Sequence, residues 1–138
     1  MANYSSATDV DKLIKKLIGA HHTNLHGLEI RAVFVDKAQR HRNKVVQGTA
    51  SIIRGVPAML ALGETNSEGL QIGLVTIARS EWKDMDASAR ERLVDHELCH
   101  FAIEFDDQGG RKLVLVDHDI TEFKAIVARY GMSETDAK

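Results

Sequence analysis

Residues 94–100 read VDHELCH, and within them His96, Glu97 and His100 carry the pattern HExxH. This pattern constrains the chain most, because its chemistry works only on a helix. Residues four apart on a helix share a face about one turn from each other, so His96 and His100 can aim ring nitrogens at one metal ion. Glu97 falls beside the pair, placed to hold a water and take its proton. Catalytic zinc usually takes three protein ligands, so the chain must also bring a third to this helix.

The rest of the sequence permits such a site. With 138 residues the chain is most economically a single domain spanning 1–138, large enough to bury a core without staples. Its net charge of -2 gives no global attraction to nucleic acid or to an anionic membrane. Cys99 is the single cysteine, which excludes an intramolecular disulfide and a four-cysteine zinc ribbon. The opening MANYSSATDV lacks a basic start followed by an apolar core, and no run is long enough to span a bilayer. A reducing, cytoplasmic setting is expected, with disordered tails at residues 1–7 and 132–138.

Along the chain, Val10, Leu13, Ile14, Leu17 and Ile18 recur at helical spacing, with Thr8 and Asp11 read as a capped start and Gly19 as the end. His21, His22 and His26 follow in a polar connection and form a possible metal-binding cluster. Residues 28–35 alternate and predict a strand, and a second strand is expected over 45–53. Between them Lys37, Arg40, His41, Arg42 and Lys44 make a basic turn, the one candidate contact for nucleic acid, with no aromatic residue interleaved for base stacking. Residues 54–69 read as a connection with a short helical turn over 59–62. Residues 70–78 are the most apolar extended run and predict a central strand buried on much of both faces. Trp82 is expected in the core.

Asp86 is a good N-cap for the motif helix. Val94, Leu98, Phe101, Ala102 and Phe105 fit one apolar stripe at helical spacing, opposite His96 and His100, with Leu93, Cys99 and Ile103 on the flanks. The helix is therefore expected to run to about residue 105 and to be buried almost all round, with Cys99 a small apolar residue rather than a ligand. Burying the motif residues unpaired would cost a few kcal/mol each, roughly, and a metal ion would supply their partner. DDQGG at 106–110 is a turn, residues 112–116 a short strand, and 119–130 a final helix with stripe residues Phe123, Ile126, Val127 and Tyr130.

Glycine three residues and histidine six residues after His100 would mark the metzincin extension, but Ile103 and Asp106 stand there. What remains for the third ligand is the cluster Asp117, His118, Asp119 and Glu122, where a strand gives way to a helix.

HELCH followed by DHDITEF resembles the SprT-like zinc metallopeptidases, whose second motif has the form HGxxF or HGxEF. More closely, the layout resembles the small phage metallopeptidases, compact domains carrying HELxH and then a DHDxxEF segment, over most of the chain as far as Tyr130. The resemblance implies a zincin-like α+β domain: a small, mostly antiparallel or mixed sheet of three to four strands packed on an N-terminal helix, the motif helix and a C-terminal helix. It implies a phage or prophage source, zinc as cofactor and a peptide or protein substrate. It assigns the third ligand to His118, with Glu122 and Phe123 matching the end of the motif. Asp119 replaces the family's glycine, which leaves Glu122, as in the larger gluzincins, or the carboxylates of Asp117 and Asp119 as alternatives. The DNA-coupled behaviour of SprT proteins is not carried over, because the cysteines of their zinc ribbon are missing.

Zinc-dependent peptide hydrolysis with Glu97 as general base is the leading expectation. Tyr130 and Arg111 are the candidates for a second electrophile, and an edge strand beside the motif helix could bind an extended peptide. The alternative is a zinc-stabilised, non-catalytic module that grips a host protein or nucleic acid.

Overall fold

The structure, a computed structural model, describes residues 2–117 and 123–131. In chain order it forms β1 (Tyr4–Ser6), α1 (Thr8–His21), a 3₁₀ turn (Thr23–Leu25), β2 (Ile30–Val35), β3 (Gln39–His41), β4 (Lys44–Val46), β5 (Gly48–Arg54), α2 (Val56–Leu62), β6 (Gln71–Ala78), α3 (Arg79–Trp82), α4 (Ala87–Cys99), β7 (Phe101–Phe105), β8 (Arg111–Leu115) and α5 (Lys124–Tyr130). The architecture is α+β, as expected. No helix among the described residues is long and apolar enough to cross a membrane.

The main sheet is mixed, in the order β1-β2-β6-β5, with β2 and β6 parallel and the outer pairs antiparallel. The apolar run expected to be central is so. On its inner face Val75 and Ile77 have no exposure, whereas Leu74 and Thr76 on the outer face are half-buried. Register aligns Ala32 with Val75 and Ala50, and Phe34 with Ile77 and Gly48, so these residues share the inner face. Against it lie the α1 stripe of Val10, Ile14, Leu17 and Ile18, together with Val94 and Leu98 of α4 and Trp82. Each fully buried aliphatic side chain contributes roughly 1.5–3 kcal/mol.

Several expectations need correction. Residues 4–6 do not fray, because their backbone pairs with β2 from Tyr4 against Val35 to Ser6 against Val33. Asp11 is not a capping partner: its Oδ1 accepts the Ala32 amide at 2.9 Å and ties α1 to β2. The second strand begins later than the basic turn suggested, since residues 39–46 form a separate two-stranded ribbon whose turn residues Arg42 and Asn43 adopt φ of 52° and 65°.

The largest correction concerns the motif helix. It ends at Cys99, and Phe101, Ala102 and Phe105 belong to β7, which pairs antiparallel with β8. Residues 101–105 satisfy both periods, and pairing with β8 across the DDQGG turn selects the strand, with Gly109 at φ 81°. Phe101 reaches the core, while Phe105 at the ribbon tip is exposed. The final helix does not run through Phe123 as expected: Phe123 is an extended N-cap and α5 begins at Lys124, while the expected start at Asp119 and the tail at 132–138 lie outside the described residues.

Candidate metal centre

Helix α4 starts where its cap predicts: Asp86 Oδ1 accepts the Ala89 amide at 2.8 Å. From Arg90 to its end no residue of the helix is exposed. His96 and Glu97 lie in its last turn and His100 is its C-cap, whose amide donates to Glu97 O at 3.1 Å. The motif thus sits at the point where a helix hands over to a strand.

That junction fixes the His100 ring. The β7–β8 ladder pairs Phe101 with Leu115, and one step back Val116 N donates to His100 O at 2.7 Å while His100 Nδ1 donates to Val116 O at 2.8 Å. A carbonyl only accepts, so Nδ1 carries a proton, and in the neutral imidazole Nε2 is the nitrogen that keeps a lone pair. Nε2 lies 4.0 Å from Glu97 Oε1, and a ligand atom from each of His96, Glu97 and His100 lies within 4.8 Å of the others. The imidazole rings stand edge to face with centroids 5.3 Å apart. Phe123 closes one side, its ring 5.3 Å from His96 and 4.9 Å from His100.

These groups line a cleft of about 400 Å³ with Gly48, Thr49 and Ala50 of β5 on one wall and Leu115, Val116 and Asp117 on another. Glu97 is 3 % exposed, and Gly48 makes room for it. A Cβ at Gly48 would stand 3.2 Å from Glu97 Oε2 and 3.0 Å from Ile77 Cδ1. Two imidazoles and a carboxylate beside open space form an N/O donor set that suits zinc and similar divalent ions.

A second polar group lies on the other side of α4. Asp95 is fully buried and is held by His22 Nε2 at 2.5 Å, by Arg129 through Nε at 2.7 Å and Nη2 at 3.0 Å, and by the Tyr130 hydroxyl at 3.0 Å. Burial works to raise the Asp95 pKa, but the bonds from His22, Arg129 and Tyr130 outweigh it and hold the carboxyl far below the usual range. Burial and the bond to Asp95 push the Tyr130 phenol well above its ordinary value. Cys99 also offers its sulfur to this group. The cation serving Asp95 is the Arg129 guanidinium, so the cluster fastens α5 to α4.

The structure therefore brings His96, Glu97 and His100 together, with Asp117 on the same cleft. His118, Asp119 and Glu122 lie outside the described residues. His21, His22 and His26 do not form one cluster: His22 goes to Asp95, while His21 and His26 are exposed. Neither candidate electrophile lines the described cleft. Tyr130 is bonded to Asp95 and Glu91, and Arg111 Nη1 donates to the His26 carbonyl at 2.9 Å. Sequence reasoning missed Asp95, Gly48 and Val116. An acid inside a helix otherwise buried all round was the available signal for Asp95.

No curated protein and no solved structure matches the chain significantly. A family model does, over residues 2–138, and on that match across nearly its whole length the chain belongs to the family described as "Putative phage metallopeptidase".

Proposed function

We propose that this protein is an HExxH-type zinc peptidase with a zincin-like site, in which His96, His100 and His118 hold the ion and Glu97 is the general base. The observation that carries the reading is the locked His100 ring. Its Nδ1 is committed to Val116 O, which leaves Nε2 beside Glu97 and His96. A ligand histidine is held in this manner when its far nitrogen donates to a carbonyl. Val116 and Asp117 line the cleft, which supports a third ligand from the segment that follows them in sequence, His118 ahead of Glu122.

When bound, zinc supplies a Lewis acid that lowers the pKa of the attacking water and polarises the scissile carbonyl. The chain's own groups do the rest. Glu97 accepts the proton from the water and passes it to the leaving amine. Burial against the wall of β5 shields the carboxylate from bulk solvent, which strengthens its hydrogen bonds. Strand β5 is the last strand of the main sheet, so its unpaired edge can take an extended peptide by strand addition, backbone to backbone. A phage-encoded enzyme of this type would work in the reducing cytoplasm, where Cys99 stays a thiol.

The test is zinc loading followed by cleavage of an unstructured protein by the parent and by Glu97→Gln. The parent should bind one zinc and cut; the variant should bind zinc equally and cut at least a hundredfold more slowly, in line with the roughly 10²–10⁴ contribution of a general base. Undiminished cleavage by Glu97→Gln would sink the mechanism. Zinc content of His118→Ala against Glu122→Ala separates the two third-ligand assignments.

A further inference from the structure

We infer that the β3–β4 ribbon is a charge-selecting arm of the cleft, which favours extended peptides carrying acidic residues a few positions from the bond to be cut. The inference rests on the peptidase reading for its chemistry but not for its binding.

The ribbon has no packing reason to exist. Residues 39–45 are all exposed, and the ribbon makes no extensive contact with any other described helix or strand. An isolated two-stranded ribbon is marginal by itself in water. Here the turn residues Arg42 and Asn43 take the two positive φ values that match the strand twist, and Ala38 N is anchored by Ser80 Oγ at 3.4 Å. The structure thus maintains a polar arm in the solvent.

Its charge is one-sided. Residues 37–44 hold Lys37, Arg40, Arg42 and Lys44 and no acidic residue, although the whole chain has a net charge of -2. Among the described residues none of these four side chains is ion-paired. Exposed cations not committed internally are available to a ligand's carboxylates.

Its position ties the charge to the cleft. Val46 is followed by Gln47, whose carbonyl accepts the Ala78 amide at 2.9 Å, and then by Gly48, the residue against Glu97. A second hollow of about 120 Å³, lined by Gln39, Val46 and Gln47 among others, shares Gly48 and Thr49 with the metal cleft. At about 3.3 Å per residue the turn at Arg42 stands some 15–20 Å of strand from Gly48, the length of about five extended residues. A peptide lying along the β5 edge and continuing past Gly48 would therefore meet the ribbon two to five residues from the scissile bond. Next to that bond Glu97 and Asp117 repel acids, so the preference is confined to the outer positions. No Phe, Tyr or Trp lies on the ribbon for base stacking, and the cleft it adjoins opens on a strand edge, which favours a polypeptide over nucleic acid.

The test compares the full zinc-loaded chain with Arg40→Glu/Arg42→Glu/Lys44→Glu on a defined mixture of synthetic decapeptides, with cleavage sites read by mass spectrometry. In parallel, the Glu97→Gln background and the same triple reversal in it are titrated by anisotropy with a labelled glutamate-rich dodecapeptide, its glutamine counterpart and a single-stranded 12-nucleotide DNA. Parent cleavage should favour acidic residues at the outer positions on one side of the cut by about three- to tenfold at low salt, decline with added salt, and turn toward basic residues in the reversal. Neutral peptides should be cut equally by both. If zinc-loaded protein cuts nothing but the glutamate peptide still binds better than the glutamine one, and reversal removes the difference, the arm stands and the peptidase reading falls. Equal treatment of acidic and neutral peptides in cleavage and binding overturns the inference. So does DNA binding that the glutamate peptide cannot displace, which would make the ribbon a nucleic-acid contact.

Discussion

His100 and Val116 are bonded to each other twice, through Val116 N to His100 O at 2.7 Å and His100 Nδ1 to Val116 O at 2.8 Å. The pair continues the β7–β8 ladder by one step, with an imidazole N–H standing in for the backbone amide that α4 has already used. Helix, hairpin and candidate ligand are joined at this one position. His100→Ala removes both a candidate ligand and half of the joint, whereas His96→Ala removes a candidate ligand and its ring contacts to Phe123 and His100 but leaves the joint in place. Both variants should lose stoichiometric zinc, and the apo form of His100→Ala should be less stable than the apo parent by about 1 kcal/mol, the usual net value of one hydrogen bond. Equilibrium dialysis with metal analysis and urea unfolding of the apo proteins check the two parts.

Gly48→Ala tests whether the β5 wall sets the position of Glu97. Gly48 has no positive φ, so alanine is compatible with its backbone, and the whole effect is the contact of a new methyl 3.2 Å from Glu97 Oε2 and 3.0 Å from Ile77 Cδ1. The expected result is unchanged zinc affinity with a turnover loss of about tenfold or more, since sub-ångström displacement of a general base is costly. Steady-state kinetics beside zinc titration give the answer, and a loss confined to zinc affinity would place the effect elsewhere.

Asp95→Asn should destabilise the fold by about 2–4 kcal/mol, because a buried pair that loses one charge leaves the other uncompensated. Arg129 is partly exposed, which keeps the figure below the upper range for such losses. The pH dependence has a definite sign. The folded pKa of Asp95 is depressed, so its contribution is complete above the unfolded value near 4 and is lost as pH falls through the folded value. Urea unfolding should show a constant gap between parent and variant from pH 7 to 5 that narrows only below about pH 4. A gap that grows on acidification would contradict the assignment.

Phe123→Ala should remove the ring that backs both histidines. Phe123 is 7 % exposed and packs edge-on against each imidazole. A stability loss of about 3 kcal/mol is expected from the cavity. Zinc affinity should also fall, by about tenfold, because the rings lose the surface that orients them. Phe123→Leu should restore most of the stability but less of the affinity, a split that isothermal titration calorimetry and thermal melts resolve.

Local signals in the sequence were sufficient where the physics is local. Asp86 caps α4, the 70–78 run is central in its sheet, Trp82 is buried and the basic segment is a tight turn, each for the reason its residues suggest. Legibility failed where a partner far along the chain decides. The end of α4 depends on β8, fixed by pairing across the 106–110 turn rather than by anything in residues 99–105 themselves. Asp95 is explained by His22, Arg129 and Tyr130, which stand 73, 34 and 35 residues away. Asp11 looked like a cap because its neighbours are helical, yet its carboxylate serves a strand amide. The motif residues were legible as a set, while the wall that Gly48 offers Glu97 requires knowing that β5 is an edge strand.

The consecutive residues Asp95, His96 and Glu97 point in different directions from α4: toward α5 and the 3₁₀ turn, into the cleft beside Phe123, and against Gly48 of β5. With Val94 and Leu98 packed in the core, the last two turns have no idle side. Such a helix has almost no room to vary. A one-residue deletion in its first turns would rotate every later side chain by about 100°, bringing His96 to the place of Asp95 in the ion pair and Asp95 to the place of Val94 in the core at once. Saturation mutagenesis should therefore show an intolerant block over residues 94–100, while the ribbon at 39–46 accepts change readily. Lineages carrying this fold would be free to retarget through the arm but would have to keep this helix almost unaltered.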